Sequence, residues 1–288
     1  MHAHSNNERR IFWAAVLTGG FMLAELFGGL LSGSLALLAD AGHMLTDFAS
    51  LALAWFAFRL SRRPADWKRT YGFDRFQILV AFINGVALVF VALWIFFEAA
   101  DRLMSPVRVL GGPVVAIAGI GLFVNLGAFW LLHGADRANL NVQGALFHVV
   151  GDLLGSVAAL AAGAVILTTG WTPIDPILSV LVGLLILRSA ATLVRDAGHI
   201  LLEGAPKGVD TREIGADLVA EIAVVEGVHH IHAWSITQER QMLTLHAQIA
   251  EGVPAEAATA AIKARLRDRF GVSHATVEVE RAACADEG

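Results

Sequence analysis

Residues 35–58 read LALLADAGHMLTDFASLALAWFAF, an apolar stretch interrupted by two aspartates and one histidine. A helix needs about 20 predominantly apolar residues to cross the hydrocarbon core of a bilayer, so this stretch is long enough for one span. His43 and Asp47 are four residues apart, and residues at that spacing lie one above the other on one helix face. Ionisable groups are costly inside a membrane and usually mark a functional position, so the pair predicts an ion-binding face.

The same spacing recurs in a second apolar stretch, residues 140–167, where His148 and Asp152 repeat the H-x-x-x-D pattern. Two such pairs supply two imidazole nitrogens and two carboxylate oxygens, a tetrahedral ligand set suited to zinc. The alternative role for these side chains is hydrogen bonding between helices, in which polar groups hold a bundle together. The repeat of one spacing on two spans favours metal binding.

The composition is that of a membrane protein with a soluble tail. Hydrophobic residues make up 56% of the chain and charged residues only 16%, whereas a soluble domain carries about 25% charged residues. Because the apolar excess ends near residue 203, we predict a transmembrane domain over 1–203 and a cytosolic domain over 204–288. The net charge of −5, without a basic arm, argues against a nucleic-acid partner. The single cysteine, Cys284, excludes an intrachain disulfide framework.

Six stretches have the length and apolarity of transmembrane helices: 11–31, 35–58, 76–100, 111–133, 140–167 and 171–188. The first has no small-residue cleavage site after it, so we interpret it as an uncleaved span and not a signal peptide. The connection between the second and third stretches is rich in positive charge: Arg59, Arg62, Arg63, Lys68, Arg69 and Arg75. Positive loops stay on the cytoplasmic side, so we expect both termini in the cytoplasm and the chain in the cytoplasmic (inner) membrane.

In this arrangement spans two and five run antiparallel, so each histidine faces the aspartate of the other span if the helices touch. All four side chains lie about 8–13 residues from a span end, close to mid-membrane at 1.5 Å per residue. Alternating-access transporters hold their cargo at this depth. Asn84 and Asn141 are further intramembrane polar residues. Packing, or support of the metal ligands from behind, is the favoured role for Asn84. Asn141 fits support of the ligands or an access path as well as it fits a hydrogen bond between helices.

The tail predicts a small open sheet with helices on one face. Asp210-Thr-Arg-Glu213 is a capping box that begins a helix ending near residue 223. Strands are predicted at 228–236, 241–250 and 274–280, and a second helix runs from Pro254 to Phe270 and is ended by Gly271. The order αββαβ is typical of a ferredoxin-like α+β domain.

Potential metal ligands cluster on the predicted strands of this tail: His229, His230, His232, His246, Glu278 and Glu280. Glu278 and Glu280 are predicted to point outward, away from the core. Cytosolic histidines and glutamates are ordinarily solvated surface, so the pattern leaves a metal site and a plain surface equally open.

Taken together, these motifs resemble the cation diffusion facilitator family, in particular its bacterial zinc exporters. Four segments carry the resemblance: 34–47 (SLALLADAGHMLTD), the pattern Asn141-x-x-Gly-x-x-x-His148-x-x-x-Asp152, Asp175-Pro-Ile177 and 200–206 (ILLEGAP). The resemblance covers nearly the whole chain.

The resemblance implies six spans, a cytosolic ferredoxin-like domain, a homodimer and proton-coupled export of a divalent metal. It places the transport site on His43, Asp47, His148 and Asp152. It also places a second zinc site, for Zn2+ as a regulatory ligand, on His229, His246, Glu278 and Glu280. Two features depart from some family members: the loop between spans two and three has no histidine, and the loop between spans four and five is not histidine-rich.

The expected function is therefore proton-coupled export of zinc, with cadmium as a competitor, by a secondary transporter that is not an enzyme. One rival is a membrane-embedded zinc enzyme. Four protein ligands leave it no open coordination position, and no H-E-x-x-H string occurs. A second rival is an uncoupled divalent-metal channel or sensor. An ATP-driven pump is disfavoured because the chain has no G-x-x-x-x-G-K-[ST] loop.

Overall fold

The computed structural model describes residues 2–32, 35–105, 111–281 and 284. The chain divides into two compact units, Met1–Ala197 and Gly198–Gly288. The first unit is helical and the second combines helices with a sheet. The functional boundary predicted between residues 203 and 204 stays a prediction.

In the part of the chain that the structure describes, six long helices precede the sheet: α1 (His2–Ser32), α2 (Leu35–Ser61), α3 (Asp74–Met104), α4 (Gly111–His133), α5 (Leu140–Thr169) and α6 (Ile174–Leu201). They coincide with the six predicted stretches, but α1 begins nine residues earlier than expected and α6 continues to residue 201. Within the described residues, α3, α5 and α6 are long and apolar enough to cross a membrane. The helical architecture is confirmed, and the number of spans stays a prediction.

Both ends of α5 are fixed by local chemistry. The Asn139 side chain accepts hydrogen bonds from the backbone N–H groups of Asn141 and Val142, which caps the helix N-terminus. At the other end Gly170 adopts the left-handed conformation with φ 71°, which a residue without Cβ reaches without strain. These caps set the start and the register of the helix that carries His148 and Asp152.

Within the described residues, apolar clusters hold the helical unit together. The first joins α1, α2, α4 and α5 through buried side chains that include Ile11, Leu51, Leu132 and Val149. The second joins α3, α5 and α6 and is centred on Leu88, Val182, Ile186 and Ala190. Helices α2 and α5, which carry the two H-x-x-x-D motifs, therefore share one packed core.

Glycines allow α6 to lie close against α3 and α5. A methyl group added at Gly85 would lie 2.9 Å from Val194 Cγ2, and one at Gly144 would lie 3.3 Å from Leu193 Cδ2. The first distance is too short for two carbon atoms, so a side chain at Gly85 would push the helices apart.

The second unit contains α7 (Thr211–Glu221), β1 (Val225–Thr237), β2 (Arg240–Ile249), α8 (Ala255–Phe270) and β3 (Ala275–Glu280). The sheet order is β1-β2-β3, with β1 and β2 antiparallel and β2 and β3 parallel. The predicted αββαβ order is thus confirmed. Leu243, Leu245 and Ala247 of β2 are buried against the helices, while alternate residues such as His246 occupy the other face.

Candidate metal centres

Helices α2 and α5 bring an aspartate, a histidine and a second aspartate together in the helical unit. His148 Nε2 lies 2.8 Å from Asp47 Oδ1 and 4.0 Å from Asp152 Oδ2. One ligand atom from each of the three residues lies within 4.8 Å of those of the other two. The expectation that a histidine of one H-x-x-x-D motif faces the aspartate of the other therefore holds for His148 and Asp47.

The fourth predicted ligand, His43, has its backbone in α2, but its side chain lies outside the described part of the structure. Its role stays a prediction. The three described side chains are well shielded from solvent, with exposed fractions of 4% for Asp47, 12% for His148 and 14% for Asp152. Two carboxylates so close in a buried place repel each other, so the arrangement favours binding of a cation between them.

Two asparagines tie the neighbouring helices to the backbone of α2. Asn141 is fully buried, and its Nδ2 donates to the carbonyl oxygen of Ala54 at 2.8 Å. Asn84 Nδ2 donates to the carbonyl oxygen of Ser50 at 3.5 Å. The structure gives both residues hydrogen bonds between helices, which fix α3 and α5 relative to the motif on α2.

In the sheet unit, the strand register aligns the predicted cytosolic ligands. His229 pairs with His246 across β1 and β2, and His246 pairs with Glu278 across β2 and β3. His246 Nδ1 lies 2.9 Å from Glu280 Oε1, and its Nε2 lies 3.6 Å from Glu278 Oε2. His229 Nε2 lies 3.1 Å from Glu280 Oε2. All four predicted residues thus belong to one connected cluster.

Two residues beyond the four predicted ligands join this cluster: His230, which the sequence offers as a potential ligand, and Cys284, which it does not. Ligand atoms of His229, His230, His246 and Cys284 all lie within 4.8 Å of one another. Cys284 Sγ is 3.4 Å from His246 Nδ1 and 3.9 Å from His230 Nδ1. Three imidazoles and a thiol are a ligand set that suits zinc.

His230 reaches the cluster because the strand is irregular there. In a regular strand, neighbouring residues point to opposite faces, so His229 and His230 would be separated. The pairing of β1 with β2 shifts register between His229 and His232, and His230 has a positive φ of 47°. A bulge of this kind re-aims a side chain. The adjacent histidines were the only signal in the sequence.

The burial of the Glu280 side chain differs from the prediction. Glu280 was predicted to point outward with Glu278, but only 8% of its side chain is exposed, against 54% for Glu278. It does lie on the predicted face, where the histidines and Cys284 cover it. Burial opposes ionisation of Glu280, but hydrogen bonds with Cys284 and His246 and the nearby imidazoles outweigh this, so its pKa lies below its ordinary value.

The donor set fits a metal ion. His229 Nε2 and Glu280 Oε2 are both buried, and neither forms a hydrogen bond within the described residues, although they lie 3.1 Å apart. Buried polar atoms normally have a partner, and a dication coordinated by both atoms would provide one.

Comparison with known proteins gives a consistent result over both units. A family model described as the cation efflux transmembrane domain matches residues 11–202. A second, described as the cytoplasmic domain of the cation efflux protein, matches residues 206–282.

Several curated proteins are similar over nearly the full chain. The chain is 47% identical to the zinc transporter ZitB of Escherichia coli (strain K12), with 98% of this chain and 93% of the relative covered. It is 38% identical to the cadmium, cobalt and zinc/H(+)-K(+) antiporter of Bacillus subtilis (strain 168), with 98% and 92% covered. It is 39% identical to the metal cation efflux system protein CzcD of Cupriavidus metallidurans, with 98% and 90% covered.

Proposed function

The chain belongs to the cation efflux family, and from this premise we propose that it exports zinc from the cytoplasm, with cadmium as a competing cargo, in exchange for protons. It is a membrane transporter and not an enzyme, since its relatives are transporters and antiporters by name. The observation that carries the proposal is the cluster of Asp47, His148 and Asp152 on two neighbouring apolar helices.

We assign the cargo site to His43, Asp47, His148 and Asp152. Asp47 lies near the middle of α2, and His148 and Asp152 lie in the first half of α5. Imidazole nitrogens and carboxylate oxygens together suit zinc, and cadmium shares these preferences. Magnesium and calcium prefer shells made of oxygen alone, so the site should reject them.

Proton exchange follows from the chemistry of the ligands. Histidine coordinates a metal only in its neutral form, so zinc binding displaces a proton and release allows a proton to return. Imidazole ordinarily titrates near pH 6.5, which suits it to this exchange. Moving Zn2+ outward against roughly 100 mV costs about 4.6 kcal/mol, at about 2.3 kcal/mol per charge, and one returning proton recovers half of it.

The topology that we propose has six spans within residues 1–203, both termini in the cytoplasm, and a homodimer associated through residues 204–288. The basic connection between α2 and α3 supports the orientation. The match of the second unit to a cytoplasmic-domain model supports its placement.

In the cytosolic unit we propose a zinc-binding regulatory site on His229, His246, Glu278 and Glu280, extended by His230 and Cys284. Its support is the convergence of six potential ligands, two of which carry buried atoms that form no hydrogen bond within the described chain. The site would report cytosolic zinc to the transporter.

Transport by purified protein in liposomes tests the function. With a zinc indicator inside, zinc uptake should accelerate severalfold when the interior is more acidic than the exterior, and cadmium should compete. Magnesium should not move. Zinc flux that is unchanged by the pH gradient would favour the uncoupled channel instead, and magnesium flux equal to that of zinc would overturn the ligand assignment.

A further inference from the structure

A cavity of about 510 Å³ lies between the first part of α1 and the end of α4. Its lining is unusual for an apolar bundle, because it combines two arginines, two tryptophans and a histidine: Arg9, Arg10, Trp13, Trp130, Leu131, His133 and Gly134. None of these residues belongs to the candidate metal centres.

The position of the Arg10 side chain is set by backbone contacts. Arg10 Nη1 donates to the carbonyl oxygen of Leu131 at 2.9 Å. The guanidinium lies against Gly134, where an added Cβ would come within 2.5 Å of Nη1, so this approach requires a glycine. Nearby, the backbone N–H of Asp136 donates to Asn7 Oδ1 at 3.0 Å and fastens the start of α1 to the connection after α4.

Positive charge in the cavity is not balanced by the protein. Within the described residues, neither Arg9 nor Arg10 forms an ion pair with a carboxylate, and Arg10 Nε is buried without a hydrogen-bond partner. The acidic neighbour Glu8 is engaged by Arg62 at 2.6 Å. Arg9 is exposed and Arg10 is half-buried, but the enclosed Nε–H of Arg10 lacks the acceptor that buried polar groups normally have. An anion in the cavity would supply that acceptor and pair with both guanidinium groups.

Aromatic side chains form the apolar part of the site. Trp13 is 48% exposed and Trp130 is 77% exposed in the structure. Tryptophans near the end of a membrane helix sit at the level of the lipid headgroups, with the indole against acyl chains and glycerol. A free phosphate ion would make no use of such a rim, whereas a phospholipid would contact both the rim and the arginines.

We propose that this cavity binds the headgroup phosphate of an anionic phospholipid in the cytoplasmic leaflet. The inference rests on the orientation proposed above and not on zinc transport, so a failure of transport would leave it standing. Arginine matches phosphate with two parallel hydrogen bonds, and the cytoplasmic leaflet is the anionic one. The lipid would bridge α1 and α4 at the membrane surface.

Native mass spectrometry of the full chain in detergent, titrated with phosphatidylglycerol or phosphatidylcholine, tests this site. Arg10→Gln should weaken phosphatidylglycerol binding about tenfold, the effect of losing one charge-assisted contact. Arg9→Gln should act in the same direction. Because the Arg9 side chain forms no hydrogen bond with the described residues, this second variant keeps the test valid if Arg10→Gln fails to fold.

Arg63→Gln is the matched control, since it removes one positive charge from the same proposed side of the membrane but outside the cavity. It should leave binding unchanged, and no variant should alter the weak binding of phosphatidylcholine. Equal losses in all three variants would show general surface charge and overturn the site, as would unchanged binding in both cavity variants. Displacement of the lipid by millimolar inorganic phosphate would identify a free-anion site and overturn the lipid assignment.

Discussion

Replacing Asp47 with asparagine would separate the charge of the proposed transport site from its packing. Asparagine has nearly the same shape as aspartate, and its amide can either donate to or accept from His148 Nε2, which lies 2.8 Å from Asp47 Oδ1. The contact between α2 and α5 should therefore persist. What the variant loses is one buried negative charge, from a side chain that is 4% exposed.

The magnitude follows from this burial. When zinc is bound, the Asp47 carboxylate and the cation form a buried charged pair. Removing one partner of such a pair costs about 3–5 kcal/mol, here of binding free energy. At about 1.4 kcal/mol per tenfold change, zinc affinity should fall roughly 100- to 4,000-fold. The midpoint of thermal unfolding in detergent should change little, because the hydrogen bond and the packing remain.

Zinc flux into proteoliposomes and zinc binding by calorimetry measure the two effects. Asp66→Asn is a charge-matched control: Asp66 lies in an exposed loop and accepts hydrogen bonds from the N–H groups of Lys68 and Arg69, which asparagine can also accept. The control should transport like the parent chain. Flux and affinity within twofold of the parent in a folded Asp47→Asn protein would refute the assignment of Asp47 to the pathway.

Three further predictions address the rest of the chain. In the full-length Asp47→Asn background, His246→Ala should weaken the remaining zinc binding at least tenfold by calorimetry, and unchanged heat would argue against the cytosolic site. Hydrogen bonding by the Arg212 side chain lowers the pKa of Asp210 to about 2. The Asp210 cap should therefore stabilise α7 fully above pH 4 and lose this effect as the pH falls towards 2. Titration of the Asp210 carboxyl by NMR and comparison of thermal midpoints with Asp210→Ala measure this. Gly85→Ala should destabilise the helical unit by about 1–3 kcal/mol through overpacking against α6, whereas Gly119→Ala, which has nothing within 4 Å, should leave the unfolding midpoint unchanged or raise it.

The parts of the fold that depend on periodicity were predictable. Long apolar runs locate all six long helices, and the alternation of Leu243, Leu245 and Ala247 with polar residues locates β2 and its buried face. The spacing of the H-x-x-x-D motifs also anticipates the contact of His148 with Asp47. These features follow from local geometry, which repeats along the chain.

The parts that depend on irregular backbone were not predictable. His230 joins the cytosolic cluster only because β1 contains a bulge, and alternation along a regular strand would exclude it. Cys284 approaches His246 from beyond the last strand, where no periodic pattern constrains the chain. Glu280 is buried because these residues cover it, so its burial could not be inferred before the cluster itself was known.

The hydrogen bonds from Asn84 and Asn141 end on main-chain oxygens of α2 at Ser50 and Ala54, not on side chains. Every amino acid has such an oxygen, so no substitution at residue 50 or 54 can delete the acceptor. Residues 50 and 54 can therefore vary during evolution, within the limits of size, without loss of the hydrogen bonds that attach α3 and α5 to the helix carrying His43 and Asp47. The attachment depends on the side-chain amides of the two asparagines, and exchange of either for leucine would remove its hydrogen bond.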